Sequence, residues 1–202
     1  MKLYMNRASP FARKVRIAVR ELGLTGRVQE ADTAVSPVAA NETLGRDNPL
    51  VKIPTLVTDE GDTLYDSRVI CEYCDGLNRK SRLFPAAGPQ RIAALRRQAL
   101  ADGALDAAVL CRYELALRPE ALRWPDWIAG QKAKVFGVLD LLEAETGRFG
   151  EEFNIGQIGA ACVCGYLDFR FPDWNWRSGR PQLAAWFERI SRRPSVAETT
   201  PP

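Results

Sequence analysis

The sequence predicts two unlike halves: a small α/β half followed by an all-helical one. Three observations lead there. Over residues 1–77, short strand-like runs alternate with helical apolar periodicity in the order β-α-β-α-β-β-α. Residues 78–89, "NRKSRLFPAAGP", are polar and carry Gly and Pro, the composition of a linker. Beyond residue 90 every periodic segment has the helical repeat and none reads as a strand. The predicted division is therefore 1–77, a linker at 78–89, and a helical half over 90–202.

Each element has its own warrant. "KLYM" is a short alternating strand. From Pro10, the residues Val15, Ile17, Ala18 and Leu22 recur at helical spacing, and Gly23 supplies a stop. "GRVQEAD" (26–32) reads as a second strand, and a weak helix is predicted around Pro37 to Leu44. "TLV" and "TLY" read as strands joined by "DEGD", which is hairpin turn chemistry. From Ser67, the residues Val69, Ile70, Tyr73 and Cys74 give a third helix ending near Leu77. The helical half shows periodic segments at 90–117, 125–147, 154–170 and 181–192. Asn154 with Gln157 makes a capping-box pattern, and Phe153 with Ile158 a hydrophobic staple. Gly156, Gly159 and Gly165 then fall in one helix, at roughly 1 kcal/mol each against Ala. Their presence predicts close packing at the centre of this half.

Composition excludes several classes. With 46% hydrophobic residues the chain can bury a sizeable core, and a net charge of +3 is too mild for a nucleic-acid partner. No apolar stretch is long enough to span a membrane, and the chain opens on a strand without an apolar leader, so a cytoplasmic protein is expected. The five cysteines are odd in number and spread through helical patterns, which predicts reduced, buried thiols rather than a disulfide framework. "CEYC" (71–74) has redox spacing but sits on apolar steps of a helix; core packing is the better reading, as for Cys162 and Cys164. No metal site is expected.

Ser9-Pro10 stands at a strand-to-helix junction, yet the chain has no histidine to make Ser9 a nucleophile. A helix start with Ser at N-cap and Pro at N1 explains the pair locally. Pro54 opens the third strand, where a proline costs no ladder bond. Asp66-Ser67 falls at the start of the third helix, where unpaired N–H donors favour an anion. Arg13, Lys14, Arg16 and Arg20 are expected to form a solvated face of the first helix.

Taken in order, "SPFARKV" after strand one, "NPLVKIPTLV" (48–57) and "LYDSRVICEY" (64–73), ahead of a helical half, resemble the glutathione S-transferase superfamily, in particular its small bacterial members. "ALADGALDAA" (99–108), "NIGQIGAACVCGYLDFRF" (154–171) and the Pro-Pro end extend the resemblance over nearly the whole chain. It implies a thioredoxin-like first domain, a cis Pro54, and an Ile53 whose backbone pairs with the cysteinyl part of glutathione. It places Ser67 and Asp66 against the γ-glutamyl carboxylate and ammonium. Phe11, in the motif after strand one, and Lys52, beside Ile53, join that set. Arg13 is the one basic residue of the first helix that the family pattern repeats. Asp102, on the long helix, is the position from which some relatives reach glutathione across a dimer.

The resemblance also gives Ser9 a role. Its hydroxyl would donate to the glutathione thiolate, so the nucleophile belongs to the co-substrate and no base is needed. The implied activity is conjugation of glutathione to a small electrophile in a cytoplasmic, homodimeric detoxification enzyme. The acceptor pocket is expected between the domains, with Tyr113 and the aromatics of "RWPDW" (123–127) as candidates. The alternative is a non-catalytic glutathione-binding or interaction module. Thiol-disulfide exchange is disfavoured because Ser9 is not a cysteine. Two departures from the family pattern stand out: Val51 where relatives often carry Gly, and no second hydroxyl residue in "MNRAS" ahead of Ser9.

Overall fold

Residues 1–77 and 83–202 are described by a computed structural model. They fall into two compact units, Met1–Ala87 with Pro194–Pro202, and Gly88–Arg193. The first unit has the predicted order: β1 (Lys2–Met5), α1 (Pro10–Glu21), β2 (Gln29–Asp32), α2 (Glu42–Asp47), β3 (Thr55–Val57), β4 (Thr63–Leu64) and α3 (Ser67–Leu77). The sheet runs β2-β1-β3-β4, with β1 parallel to β2 and antiparallel to β3, and β3 antiparallel to β4. This is the thioredoxin-like arrangement. Of the predicted linker, residues 78–82 lie outside the described residues.

Leu3 and Leu56 from the sheet, Val15 and Ile17 from α1, and Ile70, Cys71 and Cys74 from α3 are all fully buried. Each helix turns its apolar stripe inward, as a 3.6-residue period requires. Gly61, at φ +94°, closes the β3–β4 hairpin, with the Thr58 N–H donating to the Asp62 carbonyl at 2.8 Å.

Three local expectations are corrected. The second helix is Glu42–Asp47 rather than Pro37–Leu44, because the Asn41 side chain accepts the Leu44 N–H at 3.0 Å and starts it there. The second strand begins at Gln29, since the N–H groups of Arg27 and Val28 both turn back to the Leu24 carbonyl. The basic face of α1 is not solvated: Arg13, Lys14 and Arg16 are 3%, 0% and 4% exposed. The chain end packs against it as α8 (Pro194–Ala197), where Arg13 Nη2 donates to the Val196 carbonyl at 3.1 Å. Arg16 and Arg20 both bond the Glu30 carboxylate. Burial raises the Glu30 carboxyl, but the two guanidiniums outweigh it and hold the group below its ordinary value. The last nine residues therefore belong with the first unit, whereas the sequence reading runs the helical half to 202.

The second unit consists of α4 (Gly88–Ala116), α5 (Pro125–Glu145), α6 (Ile155–Arg170) and α7 (Pro181–Ser191), with short 3-10 turns between. Ile155 to Leu167 of α6 is buried at every position. The capping box is present: Asn154 Oδ1 accepts from the N–H groups of Gly156 and Gln157, and Gln157 Oε1 accepts the Asn154 N–H at 3.2 Å. The glycines set the approach of α6 to α4. A Cβ on Gly156 would meet the Ala94 carbonyl oxygen at 2.8 Å, and one on Gly159 the Ala101 Cβ at 2.9 Å.

Candidate functional site

Strand register gathers the predicted site segments. Tyr4 of β1 lies opposite Thr55 of β3, so the end of β1 sits beside the start of β3. Leu56 lies opposite Leu64, so β4 also finishes at this end. The β1–α1 turn with Ser9, the turn into β3 with Ile53-Pro54, and the β4–α3 junction with Asp66-Ser67 thus all leave the sheet at one end.

Ser9 is the N-cap of α1. Its Oγ accepts the Ala12 N–H at 3.2 Å, and its own N–H donates to the Asn6 carbonyl at 3.0 Å. Among the described residues no acceptor takes its hydroxyl proton, so the group can cap a helix and still donate. Pro10 occupies N1, and Phe11 follows it, half-buried.

The Ile53–Pro54 peptide is cis, as is Tyr65–Asp66. Pro54 is buried and Ile53 half-buried. Among the described residues, no partner is found for the Ile53 N–H or C=O. A strand start with one unpaired donor and one unpaired acceptor is a template for an extended peptide backbone. The Lys52 side chain is exposed.

At α3 the roles divide otherwise than the pair suggests. Asp66 is the capping residue: its carbonyl accepts the Ile70 N–H at 3.1 Å and its carboxylate the Arg68 N–H at 2.9 Å. The carboxylate also meets the Arg68 guanidinium at 3.4 Å and stays exposed. Ser67 is the first residue of the helix and only 2% exposed, with no hydrogen-bond partner for its hydroxyl among the described residues. A hydroxyl and unpaired N–H groups at a helix start favour an anion.

Asp102 belongs to α4 of the second unit and is buried there. Tyr113 and Trp127 are half-buried, and Trp124 is 61% exposed, all in that unit. All five cysteines are buried thiols outside any disulfide. Burial pushes Cys74 up to about 11 and raises Cys111 and Cys164 as well. A thiol raised in this way carries almost no thiolate, so Cys74 of "CEYC" is a poor redox nucleophile. Among the described residues no cluster of His, Cys, Asp or Glu is placed to hold a metal ion, and no helix is long and apolar enough to cross a membrane.

The sequence reading passed over Asn48 and Thr55, which bond across the turn that carries Ile53. An Asn before a Pro is a turn signal, but nothing local says where its amide points.

Comparison with known proteins follows the same division. The family model for the glutathione S-transferase N-terminal domain matches residues 8–77, and that for the C-terminal domain residues 125–189. The uncharacterized GST-like protein YibF of Escherichia coli is 34% identical over 100% of this chain and 99% of its own length. A crystal structure of a glutathione transferase family member from Pseudomonas fluorescens, with bound glutathione, is 48% identical. It covers 100% of this chain and 98% of its own at a TM-score of 0.98. A glutathione S-transferase from Methylobacillus flagellatus, also with glutathione bound, is 34% identical over 100% and 99% of the two chains, at a TM-score of 0.91.

Proposed function

The chain belongs to the glutathione S-transferase family, and from that premise we propose that its first unit binds glutathione and that it adds the glutathione thiolate to a small electrophile. The observation that carries this reading is the unsatisfied set at one end of the sheet: the free backbone pair of Ile53, the buried hydroxyl of Ser67 and the spare proton of Ser9. A backbone acceptor and donor, an anion seat and a thiolate donor are what a γ-glutamyl-cysteinyl peptide requires. The relatives from Pseudomonas fluorescens and Methylobacillus flagellatus hold glutathione.

In this reading Ile53 aligns the cysteinyl backbone, and Ser67 with the first turn of α3 takes the γ-glutamyl carboxylate. Asp66 lies beside the ammonium, with Lys52 and Phe11 at the rim. Asp102 is read as the residue that reaches glutathione from a partner protomer. Ser9 donates its hydroxyl proton in a hydrogen bond to the sulfur, stabilising the anion before attack. The thiolate then forms the new S–C bond. In substitution a leaving group departs with its bonding electrons; in addition the neighbouring carbon takes up a proton. The protein is read as a cytoplasmic homodimer, which light scattering of the purified chain checks.

Calorimetric titration with glutathione, wild type beside Ser67→Ala, is the test. Binding between micromolar and low-millimolar affinity in the wild type, lost in Ser67→Ala, is expected. No binding of glutathione by the wild type at 10 mM overturns the reading. A second reading, glutathione binding without turnover, draws on Ser9 already serving as a helix cap. Conjugation measured against a panel of electrophiles separates the two.

A further inference from the structure

We propose that Asn48 is a positioning residue for glutathione, acting through its side-chain amide, which sets the turn that presents Ile53; the inference rests on the glutathione reading above.

Asn48 ends α2: its N–H donates to the Leu44 carbonyl at 2.8 Å, and its carbonyl receives the Val51 N–H at 2.9 Å. Its side chain is 1% exposed. Oδ1 accepts the Leu50 N–H at 2.9 Å. Nδ2 donates to Thr55 Oγ1 at 2.8 Å and to the Lys52 carbonyl at 3.2 Å. Thr55, fully buried, donates its own hydroxyl proton to that same Lys52 carbonyl at 2.8 Å. One residue therefore holds positions 50, 51, 52 and 55. The two residues inside this bracket that it leaves untouched are Ile53 and Pro54, the pair offered to a ligand.

Both halves of the amide are needed. An acceptor must face the Leu50 N–H, and donors must face the Lys52 carbonyl and the Thr55 hydroxyl, which fixes the orientation of the group. Aspartate keeps the first function and loses the second. The outer end of α2 is tied to the sheet as well, since the Tyr4 hydroxyl donates to the Asp47 carboxylate at 2.6 Å. The bracket thus stands on a fixed base.

Val51 shows what the bracket works against. It sits at φ +50°, a left-handed conformation that a β-branched residue rarely adopts. Left alone, the turn would relax toward φ below zero and carry Lys52 and Ile53 with it. The bonds of Asn48 at 50, 51 and 52 hold it in place. Glycine at 51 would remove the opposing force, because it adopts positive φ without penalty. Asn48 and Val51 should therefore be coupled in glutathione affinity.

The test is glutathione titration and steady-state kinetics on the full chain, with circular dichroism to confirm folding. Asn48→Asp and Thr55→Val are expected to weaken glutathione binding about tenfold, the scale of one or two lost net hydrogen bonds. Thr55→Ser, which keeps the hydroxyl, should restore most of the affinity. KM for glutathione should rise while kcat at saturating glutathione holds. A purely structural role would instead lower the active fraction, dropping kcat at constant KM. In a Val51→Gly background the loss from Asn48→Asp should shrink to about threefold or less. Unchanged affinity in folded Asn48→Asp and Thr55→Val, or equal loss in Thr55→Val and Thr55→Ser, overturns the inference alone, with wild-type binding and its loss in Ser67→Ala intact. Absence of binding by the wild type overturns it together with the glutathione reading. Should Asn48→Asp not fold, the Thr55 pair decides.

Discussion

Ser9 already has one job, and that bounds the one proposed for it. Its Oγ accepts the Ala12 N–H, so Ser9→Ala removes a helix cap worth about 1 kcal/mol along with any bond to sulfur. The gain from thiolate stabilisation is itself modest. A thiol of pKa about 8.5 is ~3% ionised at pH 7, and lowering it by about 2 units gives ~75%, a gain of about 25-fold. Nucleophilicity falls with basicity at a Brønsted slope of about 0.4–0.5, which removes about 8-fold and leaves ~3-fold. Most of the acceleration must then come from holding the two reactants together. Ser9→Ala is accordingly expected to lower kcat/KM near neutral pH while activity survives, with a steeper rise of rate between pH 6 and 8, because the thiol then ionises near its ordinary value of about 8.5. Stopped-flow conjugation rates across that range check it, and a loss beyond about 10⁴-fold would show that Ser9 does chemistry outside this account.

The elements carry a different lesson, because two kinds of glycine sit in the helices of the second unit. Gly156 begins α6 where it crosses α4, and a Cβ there would press to 2.8 Å on the Ala94 carbonyl oxygen and 2.9 Å on the Arg97 Cβ. Gly137, exposed on α5, has nothing within 4 Å of the same point. Helix propensity favours alanine at both by about 1 kcal/mol. At Gly156, forcing the backbones apart costs about 1–3 kcal/mol and reverses the sign. Thermal melts should therefore show Gly137→Ala melting higher than wild type and Gly156→Ala lower; matching shifts would refute a close helix crossing. This crossing was legible in the sequence, as was the capping box, because both are written at spacings of three or four residues. Ser9, Ile53-Pro54 and Ser67 were singled out by the family resemblance, and the strand register brings their segments to one end of the sheet. The grip of Asn48 was not, since its partners at 50, 52 and 55 line up only once Val51 has turned to φ +50°. Nor was the division of labour between Asp66 and Ser67, which depends on which residue's carbonyl starts the helix.

At the scale of the molecule, the feature hidden from local pattern is the return of the chain end. Arg13 meets the Val196 carbonyl across 183 residues, and Ser195 meets Glu21 across 174. Arg20 reaches Glu198 at 3.1 Å, while Val196 and Thr199 are fully buried. Of the three cationic side chains of α1 below 5% exposure, Arg13 is answered by the tail and Arg16 by Glu30. Removing the tail would leave the Arg13 guanidinium without its carbonyl, and a buried charge that loses a partner is costly. It would also expose the apolar surface of the first unit that Val196 packs on, at about 25 cal/mol per Å² of apolar surface. Together these losses amount to about 2–4 kcal/mol. For a chain of this length that is a fall in Tm of about 5–15 °C. The loss should also be local. A chain ending at Arg193 is expected to exchange the amide hydrogens of α1 much faster than wild type, with those of α6 protected as before, since α6 belongs to the other unit. Hydrogen exchange read by mass spectrometry on both chains decides this. Equal protection of α1 in the two, with Tm unchanged, would mean that the tail rests on the first unit without holding it. Loss of protection in α1 alone would make the last nine residues part of the first unit in energy as well as in place.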